Sequence, residues 1–491
     1  MKNKSIPRVA IIGAGVAGIA ASIRLAVKGY EVRVYEANAY PGGKLSEIQL
    51  DNFRFDAGPS LFTLPELVDE LFDLAGKNPK QYFQYQKLNT TCRYFYEDGT
   101  IIEGHADKEV FAEEVFRKTG EAKSNIIKAL RNSNTLYDLL ADLFMKKSLH
   151  SWRTFFNRKA FKAYFNFYKL DFFRSMNASN EQQFKNKKVI QLFNRYATYN
   201  GSDPYQIPAT FNIIPHLEFN LGAFFPTKGM YSITQSLYNL ALELGVQFNF
   251  NKKVDLIVVE NERVTGIEVQ NTIISFDKVI SNMDMVNTYK KLLPQKYLPP
   301  KLLNQPKSSS ALIFYWGVKK QFPQLDLHNI FFSKNYKAEF EHIFKKKNIF
   351  SDPTVYLNIT SKYKSDDAPE GCENWFTMIN VPNNSGQDWD ELIKGARRNI
   401  INKMSGILKE DIEALIICEA VLDPRTIESR TSSSLGALYG NSSNNKFAAF
   451  LRHPNFSSKI KNLFFCGGSV HPGGGIPLCL LSAKITADLI D

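Results

Sequence analysis

Gly13, Gly15 and Gly18 stand at the spacing G-x-G-x-x-G, and a carboxylate, Glu36, closes the apolar run that follows them, EVRVYE from Glu31. Residues of these types in this order suit the diphosphate and ribose of a dinucleotide. Gly13 permits a tight turn, Gly15 lets bare backbone approach a pyrophosphate, and Gly18 allows a helix to pack closely on a strand. Val16 and Ala17 lie between them, where a helix N-terminus offers free N–H groups and a partial positive charge to phosphate. Glu36, with Ala37 beside it, falls where a carboxylate shares two hydrogen bonds with a ribose diol. An acid there disfavours a 2′-phosphate, which leaves NAD or FAD.

Such residues work only if the elements around them hold them in place. Val9, Ile11 and Ile12 read as a short buried strand. Ile19, Ile23 and Val27 recur at helical spacing on a helix that stops at Gly29, and Glu31 to Glu36 is a second strand. The stretch RVAIIGAGVAG, behind the basic tip Lys2 and Lys4, could pass for a secretion signal. The complete strand–turn–helix–strand–acid unit decides against that reading.

More glycine-rich turns follow. Gly42-Gly43-Lys44 precedes FRFDAGPS, which carries Asp56, Gly58, Pro59 and Ser60; a glycine-rich surface loop followed by a β-turn is the alternative to a role at the cofactor. Residues 230–244 place Met230, Ile233, Leu237, Leu240 and Leu244 on one helical face, and strands follow at 246–250, 254–259 and 264–269. Later, NLFFCGGSV (462–470) reads as a buried strand running into Gly467 and Gly468. HPGGGIP (471–477) is a glycine-rich loop with Pro477 suited to a first helical turn, and Leu478, Leu481, Ile485 and Leu489 continue at helical spacing. A helix so aimed turns its positive end on a ligand.

The Glu36…Gly42-Gly43 continuation resembles the extended fingerprint of FAD-binding amine oxidases and carotenoid desaturases. The run CGGSVHPGGGIPLCLLSAKITADLI (466–490) resembles the C-terminal signature of bacterial carotenoid desaturases of the phytoene-desaturase type. Lys44 stands where the family usually has Arg, keeping the charge without the fork geometry. Gly474 replaces an Ala, a benign change, and Leu478 replaces a Gly, which would alter the space beside the flavin.

The resemblance implies FAD as cofactor. It implies an α/β fold in which a Rossmann-like FAD-binding domain is assembled from residues 1–75, 225–295 and 440–491. An α+β substrate domain would comprise 76–224 and 296–439, with 105–195 a helical, membrane-facing cap. It further implies a backbone contact from Val254 to adenine, contacts from the glycine pair, Lys44 and Gly58 to Ser60, and an approach of Gly467, Gly468, Gly475, Ile476 and Pro477 to the flavin. Asp56 and His471 are the expected polar groups near the flavin, the alternative being that their hydrogen bonds only order loops. The stretch QLFNRYATYNGSDPYQIPAT (191–210) resembles hydroxycarotenoid 3,4-desaturases, with Asn200 and Asp203 departing from the pattern. It implies 3,4-desaturation of a carotene hydroxylated at the opposite end, of the 1′-hydroxy-γ-carotene type. Phytoene desaturation is the same-chemistry alternative, and a non-enzymatic escort protein for prenyl lipids the alternative of another class. The terminal electron acceptor would be oxygen or a quinone.

Composition sets the outer limits. A net charge of +12 over 491 residues calls for an anionic partner. Basic residues concentrate at 152–195, among aromatics such as Trp152, Phe155 and Phe172, and FKKKNIF (344–350) adds a second cluster. A solvated helical face explains this, and so does stacking on single-stranded nucleic acid, though no nucleic-acid fold signature accompanies it. The third explanation, aromatics entering a headgroup layer while Lys and Arg meet anionic lipid, suits a polyene delivered from a bilayer. The expectation is therefore peripheral association with the cytoplasmic face of the cell membrane and no nucleic acid. No run reaches the roughly 18–20 apolar residues of a membrane-spanning helix. The five cysteines show no CxxC spacing and read as reduced, intracellular core residues, with no metal site. No HExxH, GxSxG or P-loop is present.

Overall fold

The computed structural model describes residues 6–150, 170–300, 304–445 and 452–490. Its first sheet has five parallel strands, in the order Leu463–Phe465, Lys278–Ser281, Arg8–Ile12, Glu31–Tyr35 and Gln247–Asn249. Three distant stretches of chain thus meet in one sheet. Val9 pairs with Val32 on one side and Lys278 on the other. The central strand is apolar on both faces because helices cover both, as a parallel sheet requires.

The helix Val16–Val27 follows the first strand and is buried from Val16 to Leu25. Its sequence explains the close packing: Ala17, Gly18, Ala20 and Ala21 keep it thin enough to lie against the helix Ile476–Asp488, while Ile19, Ile23 and Leu25 fill the core with Met230, Leu237 and Leu480. Full burial of each such aliphatic side chain stabilises the fold by roughly 1.5–3 kcal/mol. Gly29 then ends the helix in the left-handed region, at φ +87°.

Of the strands expected after residue 245, only Gln247–Asn249 joins this sheet. Leu256–Glu260 and Arg263–Val269 instead form a separate antiparallel sheet with Thr272–Ser275. The strand that does enter the centre, Lys278–Ser281, carries too short an apolar run to stand out in the sequence.

A second sheet of seven strands is mostly antiparallel. One of its two longest members, Ser310–Val318, is buried throughout and alternates cleanly between two cores. Leu312, Phe314, Trp316 and Val318 pack with Ile400 and Met404 of the helix Trp389–Leu408. Ala311, Ile313 and Tyr315 face the other way, toward Phe53 and Phe55. At the far side His328–Phe331 lies parallel to Thr90–Phe95. Helices Lys108–Thr119, Lys123–Leu140, Met176–Gln183 and Lys187–Asn194 cover that end. Residues 152–169 of the basic, aromatic stretch lie outside the described residues.

Candidate functional site

The glycine turn is held from three sides. Gly13, at φ +97°, donates its N–H to Tyr35 O at 2.8 Å. Glu36, 6% exposed, accepts from Ala14 N through Oε2 at 2.8 Å, and through Oε1 from both the N and Nδ2 of Asn38. The carboxylate therefore locks the turn and keeps acceptor capacity on Oε2 at the cavity wall. From the third side comes Asn282, which follows the strand Lys278–Ser281. With its amide oxygen facing the loop, it accepts from Gly15 N and Gly18 N, both at 3.2 Å. Asn282 has no signature in the sequence, because its position depends on a strand pairing between distant segments.

These contacts leave a cradle of bare backbone. A Cβ on Gly15 would come within 2.7 Å of the Asn282 amide, and one on Gly18 within 2.2 Å of Gly13 O. Gly15, Val16 and Ala17 border the cavity, whereas Gly18 is absorbed by helix–strand packing. The first helical turn has no side-chain cap, so the N–H groups of Val16 and Ala17 have no helical carbonyl to bind. Gly42 donates to Ala14 O at 2.8 Å, and a Cβ on Gly43 would lie 3.5 Å from Gly15 Cα, so two glycine backbones meet at this wall.

The remaining expected positions gather around the same space. Ala37, Lys44, Gly58, Pro59, Ser60 and Val254 all line it. Lys44 spends its ammonium on Leu438 O at 2.8 Å and Ala437 O at 3.4 Å, and burial lowers its pKa. Gly58 admits no side chain, since a Cβ would stand 1.8 Å from Lys44 O. Gly467, Gly468, Gly475, Ile476 and Pro477 line the cavity too, and they bring the N-terminus of the helix Ile476–Asp488 to it. The space beyond Gly475 is open, whereas a Cβ on Gly474 would lie 2.7 Å from the Tyr439 ring. The glycine in place of the family's alanine thus makes room for Tyr439.

The two polar residues expected beside the flavin separate. His471 is 2% exposed and lines the cavity; its Nε2 bonds to Lys147 O at 2.8 Å, and burial lowers its pKa to about 4. Its carbonyl accepts from Asn455 Nδ2 and Ser482 Oγ, each at 2.9 Å, which anchors the loop. Asp56 requires a correction. Its carboxylate accepts from Arg54 at 2.8 Å, Met230 N at 2.8 Å and Tyr231 N at 3.0 Å. It sits at the N-terminus of the helix Tyr231–Glu243 and is not among the cavity-lining residues. The helix end and the Arg54 guanidinium compete for both its oxygens, so it orders structure.

Apart from Asp56 and Gly18, the expected residues line one cavity of about 1200 Å³, which continues past them. The continuation is apolar, lined by residues such as Leu140, Phe211, Ile213, Leu217, Ile313 and Ile330. One patch of it is polar. Arg195 is buried, donating to both oxygens of Glu218 at 2.9 and 3.1 Å and to the hydroxyls of Tyr94, Tyr196 and Tyr199. Burial opposes its charge, but Glu218 and the tyrosines more than offset this and hold its pKa well above the ordinary value. His328 and Tyr356 complete the patch. None of these stood out in the sequence except through the RYATY run.

A dinucleotide with a flavin fits these residues: bare glycine backbone at one wall, a carboxylate past it, an uncapped helix end, and a second helix N-terminus further along. The sequence profile of the flavin-containing amine oxidoreductases matches residues 16–491, and the chain belongs to that family. It is an FAD-dependent oxidoreductase. Over 480 residues, 98% of each chain, it is 53% identical to the 1-hydroxycarotenoid 3,4-desaturase of Flavobacterium sp. (strain P99-3). It is 31% identical over 498 residues to the 4,4′-diapolycopene oxygenase of Methylomonas sp, covering 100% of this chain and 99% of that one. Among solved structures, an oxidoreductase from Methanosarcina mazei superposes with a TM-score of 0.62 at 14% identity, over 98% of this chain and 100% of the other, a likeness of fold.

Proposed function

We propose that the protein is an FAD-dependent desaturase that introduces the 3,4 double bond at a hydroxylated, acyclic end of a carotenoid. One observation carries the reading. A dinucleotide cradle opens directly into an apolar tunnel, in a chain 53% identical over 98% of its length to a 1-hydroxycarotenoid 3,4-desaturase. The locants in that relative's name, 1 and 3,4, number one end of the molecule. They favour a hydroxyl on the end being desaturated rather than on the opposite end.

Gly13, Gly15, Val16, Ala17 and Gly43 would hold the diphosphate, Glu36 the ribose, and Val254 the adenine. Gly58 to Ser60 and the Gly467–Pro477 loop would flank the ring. When bound, FAD supplies the acceptor for a hydride leaving a carbon beside the polyene. The protein's part is alignment, exclusion of water and control of charge. Loss of hydride leaves the substrate positive along its conjugated chain until the neighbouring carbon gives up a proton to water or a base and the double bond closes, so the tunnel must add no net positive charge of its own. His471 and His328 are neutral through burial, and Glu218 balances Arg195. His471 Nε2 is committed to Lys147, which suits it to holding the loop.

Pigment chromatography tests the reading in cells that accumulate either phytoene or a 1-hydroxylated acyclic carotenoid. A red shift with the hydroxylated substrate is expected, and one seen only with phytoene overturns it. A purified protein that stays colourless with added FAD would point instead to an escort protein for prenyl lipids.

We further propose that the substrate arrives from the anionic, cytoplasmic face of the membrane, with oxygen or a quinone as the terminal acceptor. The charge of +12 supports this, and no helix among the described residues is long and apolar enough to cross a bilayer. Co-sedimentation with anionic liposomes at low salt is the expected result; protein left in the supernatant refutes it.

A further inference from the structure

Five Arg and Lys side chains are buried among the described residues, and three of them rest on carboxylates: Arg24 on Glu70, Arg54 on Asp56 and Asp367, and Arg195 on Glu218. Lys307 and Arg452 rest on none. Lys307 donates to Asn441 Oδ1 at 2.7 Å and feels Asp284 at longer range. Arg452, 4% exposed, has neutral acceptors alone: Tyr439 O at 3.1 Å, Gly468 O at 3.2 Å and Asn200 Oδ1 at 3.2 Å. Outside the described residues the sequence holds a single acid, Asp491.

A buried cation normally meets its counter-charge inside the protein, because leaving it alone is costly. Burial lowers the Arg452 pKa only to about 10, so the side chain stays charged at neutral pH. Its place says which anion balances it. All three residues that it binds, Asn200, Tyr439 and Gly468, line the cavity, and its guanidinium carbon would stand 3.2 Å from a Cβ on Gly473. The guanidinium is therefore packed one layer behind the loop expected to flank the flavin ring. The diphosphate carries its charge at all times and has the helix end at Val16 and Ala17. The ring gains charge only on reduction: a hydride brings two electrons and one proton, so the ring becomes an anion unless a second proton follows. A full positive charge behind the loop, added to the partial charge of the helix N-terminus at Ile476, favours that anion, and in a buried site it acts without contact.

We propose that Arg452 is the counter-charge of the reduced flavin: acting across Gly468 without touching the cofactor, it holds the ring as the anion and raises its affinity for electrons. The inference rests on the ring lying against the Gly467–Pro477 loop, as in the reading above, and is independent of which carotenoid is the substrate. It also agrees with the charge balance of the tunnel. There the buried cation, Arg195, is neutralised by Glu218, whereas the unbalanced one stands behind the cofactor loop.

The test uses purified, FAD-loaded protein, reduced with dithionite in the absence of oxygen and substrate. The reduced wild-type protein should show the absorbance of the anionic flavin at a pH where free reduced FAD is protonated; a neutral spectrum overturns the proposal, whether or not any variant folds. In Arg452→Gln, which keeps N–H donors and loses the charge, the two-electron equilibrium against a reference dye should shift at least tenfold toward the oxidised flavin, about 30 mV. Arg452→Lys, which keeps the charge, should stay within threefold of the wild type. A shift below tenfold in Arg452→Gln overturns the proposal, and so does one above threefold in Arg452→Lys, which would mark a structural role. Weaker FAD binding at an unchanged potential also overturns it and would give Arg452 to the diphosphate. Wild-type protein that takes up no FAD refutes the underlying reading, and the proposal falls with it.

Discussion

Asn282 and Gly15 lie just beyond the ends of two strands paired in the parallel sheet, and with its amide oxygen turned to the loop Asn282 accepts the Gly15 N–H at 3.2 Å while also taking that of Gly18. The asparagine therefore fixes the shape of the phosphate loop from within the protein, leaving the N–H groups of Val16 and Ala17 for the ligand. Replacing it with Ala strands two backbone donors, at a cost of about 1–3 kcal/mol. Asn282→Ala should bind FAD at least tenfold more weakly, and Asn282→Asp more weakly still because its charge opposes the diphosphate. Flavin titration monitored by tryptophan fluorescence reads both.

Gly15 has φ −68° and ψ 167°, a conformation open to any residue. Its glycine is required by space alone, since a Cβ would meet the Asn282 amide at 2.7 Å. Gly15→Val should fold and purify without flavin. A normal ratio of flavin to protein absorbance would contradict this account of the cradle.

The Arg195–Glu218 pair is nearly sealed from solvent, with side chains 6% and 2% exposed. Removing one partner leaves the other charged and buried, which costs about 3–5 kcal/mol. Arg195→Met should therefore lower stability by that order in denaturant unfolding. The double variant Arg195→Met/Glu218→Leu should recover most of the loss, because no orphaned charge remains.

Burial holds the pKa of His453 and His471 at about 4 and that of His328 at about 3, against 6.5 for a free imidazole. Each stabilises the fold fully above pH 6.5 and loses its contribution as the pH falls toward its folded value, because the unfolded chain takes up the proton first. Glu339 works the other way: burial raises it to about 7, so its contribution returns on acidification. His150, His216 and His342 are lowered by burial as well, and Asp69, Asp203 and Asp367 are raised by it, so six imidazoles oppose four carboxylates. The melting temperature should drop between pH 7 and pH 5, and less steeply in His453→Gln than in the wild type.

What could be read from the sequence follows from what local spacing encodes. Gly13, Gly15, Gly18, Gly42 and Gly58 were legible because backbone must pass where a Cβ cannot, and that demand falls on single positions near one another in the chain. The loop around Gly467 to Pro477 was legible for the same reason. Asp56 was misjudged because a carboxylate beside a glycine turn looks the same in sequence whether it faces a ligand or a helix end. Asn282, Glu218 and His328 had no local signal. Each acquires its partner only when distant strands and helices meet, as His328 does with Tyr356 across an antiparallel pair.

The cleft also has an order of completion. Its first wall begins with Gly13 to Glu36 but waits for Gly42, Gly43 and Asn282, and its other wall needs the strand Leu463–Phe465 and the helix Ile476–Asp488. A chain still emerging from the ribosome thus carries a half-built pocket through most of its synthesis, with the phosphate loop open to solvent. Flavin loading is accordingly among the last events of biogenesis, and a cell starved of riboflavin would accumulate full-length protein in which that loop has nothing to grip.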